Sequence, residues 1–168
     1  MRKLLIVLSV AFLGQSTLAH AATDWTPYLK PMLSGCGYVN PTDKLPTRYK
    51  SSIASKRVKT DPETYDIIEY EGDTITTYSL KNATAFGQPL LKVEYLQGYE
   101  WYHLRLYFKD TKFITLRPQF KLPKIDKQAN EYSQVTKNNT SGYEVEDGGY
   151  LTLTFDTKQK TITCGGGV

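Results

Sequence analysis

Glu100-Trp101-Tyr102-His103-Leu104-Arg105-Leu106-Tyr107-Phe108 decides how this chain folds. In an extended backbone Tyr102, Leu104, Leu106 and Phe108 fall on one side, and Trp101, His103, Arg105 and Tyr107 on the other. That is the alternation of a strand with one face on a core and the other toward water. Upstream, Leu91, Val93 and Tyr95 alternate with Lys92 and Glu94, and Gln97-Gly98 supplies a turn between the two runs. Downstream, Asp110-Thr111 turns the chain into residues 112–117. These segments predict a three-stranded antiparallel meander joined by hairpin-length connections.

The pattern spreads in both directions. Residues 65–71 and 74–80 flank Gly72-Asp73 and read as another strand pair, followed by a loop from Asn82 to Pro89. Leu151, Leu153 and Phe155 alternate with Thr152 and Thr154, and Asp156 to Gln159 turn the chain into Thr161-Ile162-Thr163-Cys164. Gly165-Gly166-Gly167 is expected to fray. Residues 118–147 are polar and read as a long loop, with room for a short helix near 125–134. Near the N-terminus Trp25, Tyr28, Leu29, Met32 and Leu33 share the spacing of one helical face, with Pro27 in the first turn, Pro31 as a disruption and Gly35 as a terminator. The expected fold is α+β and β-dominated: a mostly antiparallel sheet of six or seven strands packed on a short N-terminal helix, closed by one disulfide.

The disulfide is expected from Cys36 and Cys164, the two cysteines of the chain. Two cysteines and a single histidine beyond the leader make a poor zinc set, so no metal site is expected. In the loop-entropy model, closing so long a span contributes on the order of 4–5 kcal/mol.

The pairing presumes an oxidising compartment, and the first residues point to one. Met1-Arg2-Lys3 is a short positive region, Leu4 to Leu13 is apolar, and Ala19-His20-Ala21 is an A-x-A cleavage site. Residues 1–21 are therefore expected to be a signal peptide, with 22–168 as one globular domain in the periplasm or outside the cell. The apolar run is about half the roughly 20 residues a spanning helix needs, so no membrane span is expected in the mature chain. Leu33-Ser34-Gly35-Cys36 has the form of a lipobox, but Asp24, Pro27, Lys30 and Pro31 separate it from the apolar run.

Without Arg2 and Lys3, the 21 basic residues fall to 19 against 17 acidic ones. So slight an excess does not favour a nucleic-acid partner. The charges are segregated, however. Lys44, Arg48, Lys50, Lys56, Arg57 and Lys59 form a run without an acid, and Asp61, Glu63, Asp66, Glu69, Glu71 and Asp73 follow without a base. The two blocks are placed to face each other across a hairpin; alternatively Lys50, Lys56, Arg57 and Lys59 form a basic patch for an anionic partner.

Catalytic signatures are sparse. His103 has no G-x-S-x-G elbow beside it, and the sequence contains neither a P-loop nor a dinucleotide fingerprint, so no cofactor is expected. Three sequons, beginning at Asn82, Asn138 and Asn139, are read as chance matches in a bacterial chain. Aromatic residues are plentiful: thirteen tyrosines in all, with Tyr95, Tyr99, Trp101, Tyr102 and Tyr107 crowding one hairpin. Trp, Tyr and Arg offer stiff contact area with a polar tip. Trp101, His103, Arg105 and Tyr107 are therefore the candidate binding residues, unless they serve the sheet or lie under the 118–147 loop. The format is similar to that of small periplasmic inhibitors and immunity proteins. The leading expectation is a protein-binding module whose partner is an envelope or toxin protein. The alternatives are a hydrolase with paired carboxylates acting on cell-wall glycan, and a small-ligand binder with a cavity between helix and sheet.

Overall fold

Trp101–Phe108 is strand β5, and its alternation is that read from the sequence: Leu104, Leu106 and Phe108 are buried, while Trp101, His103, Arg105 and Tyr107 are partly exposed. The computed structural model describes residues 21–61, 72–110, 112–125, 127–128 and 130–168. The strand expected over 65–71 lies outside them, as do Glu63, Asp66, Glu69 and Glu71 of the acidic block.

Among the described residues strand outweighs helix by 51% to 14%, so the fold is β-dominated as expected. Among the described residues the sheet has nine strands, rather than six or seven: β1 Thr23–Asp24, β2 Ile53–Asp61, β3 Asp73–Ala85, β4 Gln88–Gln97, β5, β6 Gln134–Asn139, β7 Gly142–Glu146, β8 Tyr150–Asp156 and β9 Thr161–Gly167. Its order is β3-β4-β5-β9-β8-β7-β6, with β1 and β2 both pairing with β3. All neighbours are antiparallel except the two-residue β1, which runs parallel to β3.

Several expected segments take a different form. Residues 112–117 do not form a third meander strand. Phe113–Leu116 is helix α3 and continues as a 3-10 turn over Arg117–Gln119, which buries Phe113 and Leu116 one turn apart. β5 pairs with β9 instead, from Trp101 opposite Gly167 to Tyr107 opposite Thr161. That pairing also overturns the expected fraying: the glycine run is a full strand held between β5 and β8. The 118–147 stretch is not one long loop with a helix, because it contributes β6 and β7. The loop expected over 82–89 shrinks to Phe86-Gly87, both at positive φ, between β3 and β4.

The N-terminal helix is brief. Thr26–Leu29 is α1, and Pro31 tightens the chain into a 3-10 turn over Lys30–Leu33. Its apolar face is nevertheless the predicted one, with Trp25, Leu29 and Met32 fully buried. Trp25 Nε1 donates to Ser52 Oγ at 3.0 Å, just beyond helix α2 at Thr47–Lys50. These helical turns and α3 lie on the same side of the sheet as Val93, Tyr95, Leu104, Leu106, Phe155 and Ile162, forming one core. Cys36 and Cys164 form the expected disulfide, which ties the segment after the N-terminal turns to β9 with Cα atoms 5.5 Å apart. Among the described residues, no helix is long and apolar enough to cross a membrane.

Candidate functional site

Register builds the site. The Gln97-Gly98 turn sets Gln97 opposite Tyr102, and that register places Glu94 opposite Arg105 and Leu96 opposite His103. A bulge between Leu90 and Lys92 then shifts the chain, so that Leu90 is buried and Leu91 is left exposed, contrary to its expected inward position. Lys92 comes to lie opposite Tyr107. Across the strands one row reads Arg57, Thr77, Glu94, Arg105, Thr163, Thr154. All of these lie on the face of the sheet turned away from the core.

Glu94 is the hub of this face. Its Oε1 accepts from Tyr107 Oη at 3.1 Å and from Arg105 Nη1 at 3.4 Å, and Lys92 Nζ stands 3.4 Å from Oε2. His103 Nε2 approaches Oε1 to 3.6 Å, an ion-pair distance when the ring is protonated. It is too long for a hydrogen bond, and Nε2 is buried without a hydrogen-bond partner. The imidazole beside it, with Lys92 and the Tyr107 hydroxyl, holds the Glu94 carboxyl down at about 2 against the opposing effect of burial. Arg105 Nε also donates to Thr163 Oγ1 at 3.2 Å, and Lys92 Nζ lies 3.5 Å from the centre of the Tyr107 ring. The four residues singled out on β5 therefore stand in one line, with Arg105 and Tyr107 hydrogen-bonded to one carboxylate on the neighbouring strand and His103 beside it. Glu94 and Lys92 were visible as the polar half of an alternating run. Their roles follow once the Gln97-Gly98 turn fixes the register.

The hairpin aromatics divide between the faces. Trp101 and Tyr107 point outward, Tyr99 lies at the tip, and Tyr95 and Tyr102 turn toward the core. Tyr38 covers the inward pair: its ring packs edge-on against Tyr102 with centroids 5.0 Å apart, and its hydroxyl meets that of Tyr95, which donates to Gln97 Oε1. Burial pushes the hydroxyls of Tyr95 and Tyr102 upward, as suits structural groups. The polar 118–147 segment does not lie over the Trp101 face: Phe120 joins the core and β6 and β7 extend the sheet sideways.

The basic patch is not one surface. Arg57 and Lys59 pair in register with Thr77 and Ile75, on the Glu94 face. Lys50 and Lys56 instead line a cleft of about 300 Å³ with Lys44, Asp43, Leu45 and Tyr78, and Lys56 Nζ sits 5.6 Å from the Tyr78 ring centre. The division follows from strand geometry, because neighbours in sequence on β2 point to opposite faces.

Chemically, the Glu94 cluster is suited to binding. A glycosidase acid needs a raised pKa, and Glu94 is held in the opposite direction. Among the described residues, no three His, Cys, Asp or Glu side chains gather as a metal site requires. No protein-family model, curated protein or solved structure matches this chain.

Proposed function

We propose that this protein is an exported binding module, of the inhibitor or immunity type, that docks an envelope or toxin protein on the outer face of β4, β5, β9 and β8. The observation that carries this reading is the line of Trp101, His103, Arg105 and Tyr107, partly exposed, in which Glu94 holds Arg105 and Tyr107 by hydrogen bonds. Side chains already held in place lose little freedom when a partner arrives, so more of their contact energy appears as affinity. Trp, Tyr and Arg are also the residue types that dominate measured interfaces. Arg57, Lys59, Lys92 and Arg105 stand with Glu94 on this face, so a partner that presents carboxylates fits it. Export is supported by the positive, apolar and A-x-A segments of residues 1–21. The Cys36–Cys164 disulfide supports an oxidising destination.

The test is cross-linking of the tagged protein in intact cells, with wild type compared against Trp101→Ala and Arg105→Ala. The expected result is one dominant acidic-faced partner, captured by wild type and lost by both variants. Arg105 surrenders an ion pair on a side chain about one-third exposed, a loss of ~0.2–1 kcal/mol that moves the melting temperature by only a few degrees. Equal capture by variants and wild type, or a collapse of melting temperature in the variants, would assign these residues to the fold alone.

A further inference from the structure

We infer that a cleft at the end of the sheet, beside the hairpin tip of β4 and β5, binds an alkylammonium group. The cleft measures about 320 Å³ and is lined by Tyr99, Glu100, Trp101, Tyr150 and Val168. Three aromatic side chains converge there from separate parts of the chain: Tyr99 from the tip, Trp101 from the start of β5 and Tyr150 from the start of β8. Tyr99 is 51% exposed and Tyr150 is 45% exposed. Single exposed aromatics are ordinary on a protein surface, but several gathered round one hollow mark a place of contact.

Two glycines make the gathering sterically feasible. A Cβ at Gly98 would collide with the indole nitrogen of Trp101, so the ring folds back over the turn because residue 98 has no side chain. Gly167 lies between Trp101 and Tyr150 in the sheet register. A Cβ there would stand 2.8 Å from Tyr150 Cε1 and 2.9 Å from Trp101 Cβ. Val168 N donates to Glu100 O at 3.1 Å, which fixes the last wall against the hairpin tip.

The chemistry of the lining selects the ligand. Aromatic faces carry negative charge density and attract a cation placed over them. Glu100 is the one charged side chain of the lining, its carboxylate makes the rim acidic, and no lysine or arginine is among the lining residues. An anion would meet that carboxylate unpaired, and a neutral apolar group would leave it without a role. A quaternary ammonium satisfies both features: it is cationic, weakly hydrated and clad in methyl groups. This site lies at one end of the proposed docking face: Trp101 belongs to both, and Tyr150 stands in the same register row on β8, whereas Arg105 and Glu94 are not among the lining residues.

The probe is choline, titrated beside 3,3-dimethylbutan-1-ol, its neutral isostere of the same shape. Binding is read from the indole N–H resonance of Trp101, with fully buried Trp25 as the internal reference. The expected result is a shift confined to Trp101, with choline held about tenfold more tightly than the isostere. Glu100→Gln should remove most of that difference, and Tyr150→Leu should weaken choline further. Equal binding of the two probes, or no shift at millimolar choline, overturns the inference. A parallel arm with phosphatidylcholine vesicles identifies the source: co-sedimentation lost in Glu100→Gln assigns the group to a lipid headgroup, and choline binding without co-sedimentation assigns it to a free small molecule. Loss of partner capture in Arg105→Ala with choline binding intact would separate this site from the docking face.

Discussion

Replacing Glu94 by Gln removes one charge from the middle of the outer face while leaving its shape. In the folded protein the carboxyl titrates near 2 instead of the ordinary 4.5, mainly because of His103, Lys92 and Tyr107 around it. A depressed carboxyl contributes stability that is fully present above the unfolded value and is lost as pH falls through the folded one. At about 1.4 kcal/mol per pH unit the full shift corresponds to ~3 kcal/mol, and solvent screening of this partly exposed cluster reduces the expectation to ~1–2 kcal/mol. Wild type should therefore exceed Glu94→Gln by that amount in urea denaturation at pH 7. The gap should fall to less than half by pH 3, where unfolded carboxyls are mostly protonated. Other acids titrate over the same range, but they do so in both proteins, so the difference between the curves isolates Glu94. A gap that is absent at pH 7, or equal at pH 7 and pH 3, would refute the picture of Glu94 as an electrostatic hub.

Two further outcomes test the frame that carries the site. Opening the disulfide, by reduction or by Cys36→Ser with Cys164→Ser, should lower stability by about 2–5 kcal/mol, since it releases a loop of 128 residues; urea midpoints with and without reductant measure it. Gly142→Ala should cost ~2 kcal/mol or more, because residue 142 has φ 139° and a Cβ there would collide with the Leu153 carbonyl oxygen across β7 and β8. Gly87→Ala is the control. Its φ is 74°, but no atom lies within 4 Å of the added Cβ, so its midpoint should move less than that of Gly142→Ala.

The parts of the fold legible in the sequence are those with one buried and one wet face. β5 and β8 announce themselves by alternation because Leu104, Leu106, Leu153 and Phe155 enter the core while their neighbours do not. β6 gives no such signal: all six residues from Gln134 to Asn139 are exposed or half-buried at the edge of the sheet. Phe113-Ile114-Thr115-Leu116 has the composition of a strand, yet it forms a helical turn because Phe113 and Leu116 reach the core from one face, with Ile114 80% exposed. The glycines of β9 offered no side chains to read. Their place is set by neighbours, since a Cβ at residue 167 would stand under 3 Å from Trp101, Tyr150 and the Glu100 carbonyl oxygen, and one at residue 166 would press on Leu151 and Tyr102. The β5 half of the candidate site was legible for the same reason as the strand. Glu94 was not, because its role depends on a register that a single turn and a bulge define.

The docking of a protein partner proposed for the outer face of β4, β5, β9 and β8 has a direct test. Thr154 is exposed on that face, in the row of Arg105 and Thr163, whereas Ile114 is exposed on α3, on the core side of the sheet. The direct measurement places a photo-cross-linking residue at one position or the other and irradiates intact cells. One dominant adduct is expected from position 154 and none from position 114. Equal adducts from both positions, or an adduct from position 114 alone, would contradict it.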